Sequence, residues 1–364
     1  LDRIGDPGEE RLRELVTQLA KPVIVTVHGP ENGGDYAGDL DQRIELYHAA
    51  ARAGCMFVDV DWRLSLDVGE LEGKCHRIVS RHDWEQTPGD LEAFDEEVRA
   101  VLYEGDAVKL VTHAGSTEDG LRMLRHLRTA RGGLVAFCSG ERGRFTRVLC
   151  TLFGSPFTYA APARMPGEPQ PPATAPGQLR VNDLRGLLPP GGGNTQTAVF
   201  GVVGASLAHS FSPHVHGMAL KMARLDALYL PFETDDLARF LELADDELFR
   251  GFSVTNPYKP AAFAAASKRD EASHATKASN TLVREPDGWR ALNTDVPAVR
   301  ETLETAYRYH REKSGQAQLA QGGPLAGAHA LVLGAGGAAR AVVQAVRSAE
   351  GRVTIAARDT GRGT

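Results

Sequence analysis

The sequence predicts an α/β protein: an incomplete TIM-type (β/α)8 barrel, then a second α/β domain, then the start of a Rossmann-type domain. Three observations carry that reading. The first half alternates short apolar runs with segments of helical period. A fresh alternation begins after a Pro/Gly stretch at 189–193. Near the end, a strand-like run leads into Gly334-Ala335-Gly336-Gly337 and another segment of helical period.

Taken in order, the strand-like runs of the first half are 22–27, 55–61, 77–80, 107–112, 133–138 and 156–160. The helical segments between them are 9–20, 40–53, 89–103, 117–130 and 142–153. Such alternation calls for parallel strands covered by helices. It supplies about six strand–helix units, about two short of a closed barrel. A helical segment at 181–188 follows a proline-rich stretch at 162–176, which reads as a loop over a site. The barrel domain is placed at 1–190. A second domain is placed at 196–320. It has a strand at 198–203 and a helix from Ser212-Pro213, with proline in its first turn. A strand at 251–255, a helix opened by Pro257 and a hairpin turned by Pro286-Asp287-Gly288 complete it. A polar connector, 311–323, leads to the third domain, 321–364, with strands at 330–333 and 352–356 around the glycine turn.

Composition narrows the function. A chain of 364 residues exceeds what one core usually serves. Net charge is -6, with no Lys/Arg run to attract nucleic acid or an anionic membrane. No apolar run approaches the roughly 20 residues of a membrane span. With no signal peptide at its start, the chain is read as cytoplasmic. Cys55, Cys75, Cys138 and Cys150 form no CxxC pair and are read as free thiols. No metal is expected: His214 and His216, two apart on a helix, face different directions.

Two groups of residues suggest chemistry. Lys109 lies inside the apolar run Ala107-Val108-Lys109-Leu110-Val111, and His82 ends Val79-Ser80-Arg81-His82. A lysine inside a strand is costly unless its amine faces a polar pocket. There it can attack a carbonyl to form a Schiff base, with a histidine moving protons. Each residue alone also fits a structural role. The motifs are more specific. Ser80-Arg81-His82-Asp83-Trp84-Glu85-Gln86-Thr87-Pro88, Asp106-Ala107-Val108-Lys109-Leu110, and Thr174-Ala175-Pro176-Gly177-Gln178 with Val181-Asn182-Asp183-Leu184 resemble the signatures of type I 3-dehydroquinate dehydratases. The resemblance spans about 1–188. It implies that Lys109 forms an iminium with the ketone of 3-dehydroquinate. His82 would remove the neighbouring proton and assist loss of water. Arg147 would take the substrate carboxylate, Gln178 and Thr174 would close over it, and Asp61 would orient the histidine. Asp61 stands where the family usually has glutamate, and His28 where many relatives have arginine. Leu1-Asp2 looks like the tail of the family's Glu-x-Arg-x-Asp strand, so that glutamate, that arginine and the first two strands are expected to be absent.

In the second half, Ser206–His216, Ser253-Val254-Thr255-Asn256-Pro257-Tyr258-Lys259, Ala278-Ser279-Asn280-Thr281, Asn293-Thr294-Asp295 and Gly334–Arg340 resemble, in order, five motifs of shikimate dehydrogenases. Ser253 replaces the usual asparagine. The resemblance implies a shikimate dehydrogenase-like substrate domain and a partial NADP-binding Rossmann domain. Ser210 and Ser212 would bind the carboxylate of shikimate. Thr255 and Asn280 would contact ring hydroxyls, with Lys259 and Asp295 as the acid–base pair. Gly334, Ala335, Gly336, Gly337 and Ala338 would cradle the pyrophosphate. Arg358 and Arg362 favour NADP over NAD, against Asp359.

The whole reads as a bifunctional enzyme converting 3-dehydroquinate to 3-dehydroshikimate and then to shikimate. A non-catalytic regulator sensing quinate or shikimate, and a quinate dehydrogenase, are the alternatives. Because strands are expected to be missing at both ends, residues 1–364 should turn over either substrate poorly. Assays beside a chain extended at both ends check this, and equal turnover would contradict it.

Overall fold

The computed structural model describes residues 1, 5–19, 21–164, 175–314 and 323–358. The chain divides into two compact units, 1–197 and 198–364.

The first unit repeats strand and helix. α1 (Glu9–Leu19) precedes β1 (Ile24–Thr26), α2 (Leu40–Arg52) and β2 (Phe57–Asp61). α3 (Ser65–Val68), β3 (His76–Asp83), α4 (Leu91–Arg99) and β4 (Ala107–His113) follow. α5 (Thr117–Thr129), β5 (Leu134–Ser139), α6 (Thr146–Leu149) and α7 (Val181–Leu187) complete it. Helix starts are written locally. Asp39, Asp90 and Ser116 each cap their helix by accepting a backbone N–H, and Ser116 with Asp119 forms a capping box. Each strand pairs in parallel with the next, in the order β1-β2-β3-β4-β5. Such a sheet is buried on both sides, so β5 is buried at every position.

Two expectations need correction. Residues 156–160 form no strand, so the sheet has five strands among the described residues rather than six. Side chains there compete for backbone groups: Ser155 Oγ donates to the Phe157 carbonyl and Thr158 Oγ1 to that of Arg147. Pairing is left to one bridge between Ala161 and Arg180. The helix expected at 142–153 contracts to α6.

The second unit begins with β6 (Ala198–Gly204), α8 (Ser212–Met222), β7 (Ala227–Glu233) and α9 (Leu237–Leu243). β8 (Phe249–Val254), α10 (Lys259–Ala265), β9 (Lys268–Arg269) and α11 (Glu271–Thr276) follow. Then come β10 (Thr281–Glu285), β11 (Gly288–Leu292) and α12 (Asp295–Lys313). Strand order is β7-β6-β8-β10-β11-β9. Sequence reading missed β7 and α9. Pro231 interrupts the pattern of β7, and proline is tolerated there because β7 is an edge strand. The hairpin stands as expected, with Glu285 opposite Gly288, whose φ of 125° suits glycine. Phe232, Phe240, Phe249 and Phe252 pack edge-on or tilted as the core of this sheet. α12 continues through 311–313, where the connector was expected to begin.

A βαβ element closes the described chain: β12 (His329–Leu333), α13 (Gly337–Ser348) and β13 (Arg352–Ala356), with the strands parallel. Val296 of α12 packs against Ala341 and Ala345 of α13.

Arg77 fastens the first unit from within. Only 2% exposed, it donates to the carbonyls of Ser65 (2.7 Å) and Gly69 (2.8 Å) and pairs with Asp106. Arg77→Met strands the Asp106 carboxylate, so it should destabilise the unit by about 3–5 kcal/mol. Chemical denaturation measures this, and a loss below about 1 kcal/mol would contradict it.

Candidate functional site

In the first unit, strand register decides which side chains meet. Side chains alternate faces along a strand, so residues aligned in register, and those two apart, share one face. Thr26 is in register with Asp59, Asp61 with Ser80 and Ser80 with Lys109. His82 is in register with Val111, and Val111 with Phe137. Asp59, His82, Lys109, Val111 and Phe137 therefore face the same way. With His28, Trp84, Arg147, Tyr159 and Gln178 they line a cleft of about 320 Å³.

Lys109 and Asp59 form the floor. Lys109 Nζ donates to Asp59 Oδ2 at 2.6 Å, with the side chains 8% and 1% exposed. Burial alone would raise the Asp59 pKa. The Lys109 ammonium beside it outweighs burial and holds the carboxyl far below its usual range. Lys109 also stands 4.8 Å from the centre of the Tyr159 ring. His82 stacks on Trp84, with centroids 5.0 Å apart, and meets His28 edge-on at 5.3 Å. Burial first, and then Lys109, push the His82 pKa well below that of a free histidine, so the ring is neutral. Arg147 lies over Phe137 at 4.5 Å, and burial lowers its pKa to about 10. It makes no ion pair with a carboxylate among the described residues, so an anion would be welcome there. Burial raises the Tyr159 pKa, keeping its hydroxyl a donor.

Six lining residues present buried polar atoms without a hydrogen-bond partner: His28 (Nδ1, Nε2), Asp59 (Oδ1), His82 (Nδ1), Trp84 (Nε1), Arg147 (Nε) and Tyr159 (Oη). Such atoms are costly, and here they converge on one space. The cleft is arranged for a ligand rich in oxygen.

The site departs from expectation at Asp61. Its carboxylate does not line the cleft but accepts bonds from Asn32 Nδ2 and from Arg63 N (2.8 Å) and Nη2 (2.9 Å). It is therefore not hydrogen-bonded to His82. The carboxylate at the site is Asp59, two residues earlier, which sequence reading passed over. Its signal was present: an aspartate inside an apolar run needs a partner as much as Lys109 does. Tyr159 was missed as part of the segment misread as a strand. Thr174 lies outside the described residues.

In the second unit, Lys259 starts α10 and Asp295 starts α12. Lys259 Nζ donates to Asp295 Oδ2 at 2.7 Å. Asn280 Nδ2 donates to Asp295 Oδ1 at 2.8 Å, and its Oδ1 accepts from the Thr294 backbone at 3.0 Å. Thr255 follows β8 and bonds the Val203 carbonyl through its N–H at 3.0 Å. Ser210 and Ser212 are bonded to each other at the start of α8 (3.4 Å). No described hydrogen bond links them to the Lys259 group.

The glycine turn lies beside this pair. A Cβ placed on Gly337 would come 3.2 Å from Lys259 Cδ. Gly334 has φ 105°, and its N–H bonds the Ala356 carbonyl at 2.8 Å, tying the turn to β13. α13 starts with extended Gly336 and no side-chain cap, leaving its first N–H groups available to an anion. Ala335 sits in this turn, Ala338 in the first turn of α13, and exposed Arg358 follows β13 by two residues. Arg362 and Asp359 lie outside the described residues. Among those described, no helix is long and apolar enough to cross a membrane.

Comparison with known proteins agrees with this layout. The profile of the type I 3-dehydroquinase family matches residues 1–191, and that of the shikimate dehydrogenase substrate-binding domain matches 202–282. The chain is 29% identical over 357 residues to a bifunctional 3-dehydroquinate dehydratase/shikimate dehydrogenase of Arabidopsis thaliana, covering 96% of this chain and 58% of that protein. Over 190 residues it is 37% identical to a 3-dehydroquinate dehydratase of Methanothermobacter thermautotrophicus, covering 52% of this chain and 81% of the relative. Over 165 residues it is 38% identical to a shikimate dehydrogenase (NADP(+)) of Anaeromyxobacter dehalogenans, covering 45% of this chain and 54% of the relative.

The neutral state of His82 has a consequence for stability. Its folded pKa is depressed, so below about pH 6.5 the unfolded chain binds a proton that the folded chain refuses. Stability is full above that pH and falls below it, by at most about 1.4 kcal/mol per pH unit for this one group. Urea midpoints at pH 7 and pH 5 should differ less in His82→Gln than in the parent. Equal pH dependence in both would contradict the assignment.

Proposed function

The chain belongs, through residues 1–191, to the type I 3-dehydroquinase family, and from that premise we propose a bifunctional enzyme of the shikimate pathway. Its first unit dehydrates 3-dehydroquinate to 3-dehydroshikimate; its second reduces 3-dehydroshikimate to shikimate with NADPH. The observation that carries the dehydratase reading is the convergence of unpartnered polar atoms on a cleft floored by Lys109.

In the proposed reaction the Lys109 amine adds to the ketone and water leaves, giving an iminium. That cation acidifies the adjacent C–H. His82, kept neutral by burial, takes the proton and leaves an enamine. It then returns a proton to the departing hydroxyl, which leaves as water, and hydrolysis of the conjugated iminium frees the product and Lys109. Arg147 holds the carboxylate, with His28, Gln178 and Thr174 around the ring.

For the dehydrogenase, Lys259 protonates the oxygen that becomes the hydroxyl, while Asp295 and Asn280 hold the ammonium in place. Ser210 and Ser212 take the carboxylate and Thr255 a ring hydroxyl. NADPH, when bound, supplies the hydride. Gly334, Ala335, Gly336, Gly337 and Ala338 would hold its pyrophosphate at the uncapped start of α13. Arg358 and Arg362 would take its 2′-phosphate, in keeping with a relative named for NADP(+). The division 1–190, 196–320 and 321–364 belongs to this proposal. The formed Lys259–Asp295 and Lys109–Asp59 pairs favour catalysis over a purely sensory role.

In a chain extended at both ends, Lys109→Ala should abolish dehydration and spare shikimate oxidation, and Lys259→Ala should do the reverse, each by at least about 10²-fold. Loss of both activities in either folded variant would refute independent sites. Arg358→Ala should cost about 1.5–3 kcal/mol of NADP-over-NAD preference in kcat/KM, and an unchanged ratio would remove that residue from the cofactor site.

A further inference from the structure

The cleft of the first unit holds more proton-handling groups than the proposed reaction uses. His28 is 6% exposed, and neither ring nitrogen has a hydrogen-bond partner. Its Nε2 stands 3.4 Å from Asp59 Oδ1, while the other oxygen of the same carboxylate holds Lys109 at 2.6 Å. One buried anion thus faces two bases on opposite oxygens. Among the described residues, other titratable side chains lining the cleft are His82, edge-on to His28 at 5.3 Å, Arg147 and Tyr159, and the Leu1 amino group, which donates to the Thr26 carbonyl, lies there too.

This arrangement meets a requirement of Schiff-base chemistry. Paired with Asp59, Lys109 is an ammonium, which has no lone pair and cannot attack a carbonyl. Releasing its proton to solvent would leave Asp59 buried without a counter-ion, at high cost. Moving the proton to a second base beside the same anion keeps one cation and one anion in the cleft throughout. We propose that His28 is this second base, a positioning residue that accepts the Lys109 proton while Asp59 exchanges one cationic partner for the other.

The steps balance. Lys109 Nζ gives one proton to His28 Nε2 and becomes a neutral amine. The amine forms the C–N bond, the carbonyl π electrons move to oxygen, and a proton shifts from nitrogen to that oxygen. The carbinolamine hydroxyl then leaves as water with the proton returned by His28, and the nitrogen lone pair closes the iminium. Ammonium and ketone have become iminium and water, and His28 ends neutral. The long 3.4 Å approach of a ring without other partners suits a group whose partnership with Asp59 tightens only when it is protonated.

The proposal rests on the dehydratase reading, and the experiment separates the two. The chain, extended at both ends, is mixed with 3-dehydroquinate between pH 5 and pH 9. Aliquots are quenched into borohydride at fixed pH, and the adduct is counted and mapped by mass spectrometry. In the parent, adduct should form on Lys109 with a rate that falls as pH is lowered, because protonated His28 cannot accept the Lys109 proton. His28→Gln should slow it by about 10²-fold at pH 7 and move the dependence to the alkaline range. Imidazole added to His28→Ala should restore part of the rate, whereas a merely structural loss would not respond. His82→Gln should keep the acid limb. Adduct forming in His28→Gln at the parental rate and with the parental pH profile would overturn the role of His28 alone, as would an acid limb that vanished in His82→Gln. If the His28 variants do not fold, by circular dichroism, the parent and His82→Gln profiles still decide, since a rate rising only in the alkaline range overturns the proposal. No adduct in the parent, or adduct away from Lys109, would instead refute the dehydratase reading itself.

Discussion

A charge taken out of water has to be paired, and that constraint organises the first unit around Lys109 and Asp59. Each would be prohibitively costly in the cleft floor without the other, because attraction strengthens and hydration vanishes together as water is excluded. The pair is possible because parallel strands in consecutive order bring the same faces of β2, β3 and β4 into line. Everything else about the site follows from that floor. The ammonium helps keep His82 neutral, the carboxylate gives His28 something to face, and Tyr159 and Trp84 close the walls.

The two sites solve the same problem in different ways. In the second unit the Lys259–Asp295 pair is part-exposed, and Asn280 and Thr294 complete a network in which the polar groups already satisfy one another. A ligand there exchanges bonds with a formed network. In the first unit each of six residues keeps at least one buried polar atom without a hydrogen-bond partner, so a ligand supplies bonds that the protein lacks. The first arrangement stores unsatisfied hydrogen-bonding capacity at the site, at a cost that the surrounding core must offset. The compact interior of β3, β4 and β5, buried along most of its length, is where that offset resides.

Where sequence reading succeeded, the signal was local. The alternation of runs located five strands of the first unit, and Pro286-Asp287-Gly288 turned the hairpin of the second. Lys109 and His82 were legible because a lysine mid-strand and a histidine at a strand end are placed by a period of two. Lys259 was legible with Asp295 only through the order of their motifs, since the residues lie 36 apart and their bond depends on how α10 and α12 begin. Errors arose where a local signal competed with a global one. The apolar run 156–160 looked like a strand, but hydroxyl bonds from Ser155 and Thr158 claimed backbone carbonyls there. Pro231 masked β7, because edge position is a property of the sheet and not of the run.

The sequence by itself therefore determined the class of the fold, which follows from periodicity, and marked Lys109 and Lys259 as candidates through the motifs around them. Which carboxylate serves the first site was decided by tertiary structure alone. Asp59 and Asp61 occupy the same face of one strand and are equivalent on paper. Asn32 and Arg63 reach Asp61, and Lys109 reaches Asp59. The physical reason is that a carboxylate's role is set by which donors arrive first in three dimensions, and those donors come from 2, 29 and 50 residues away.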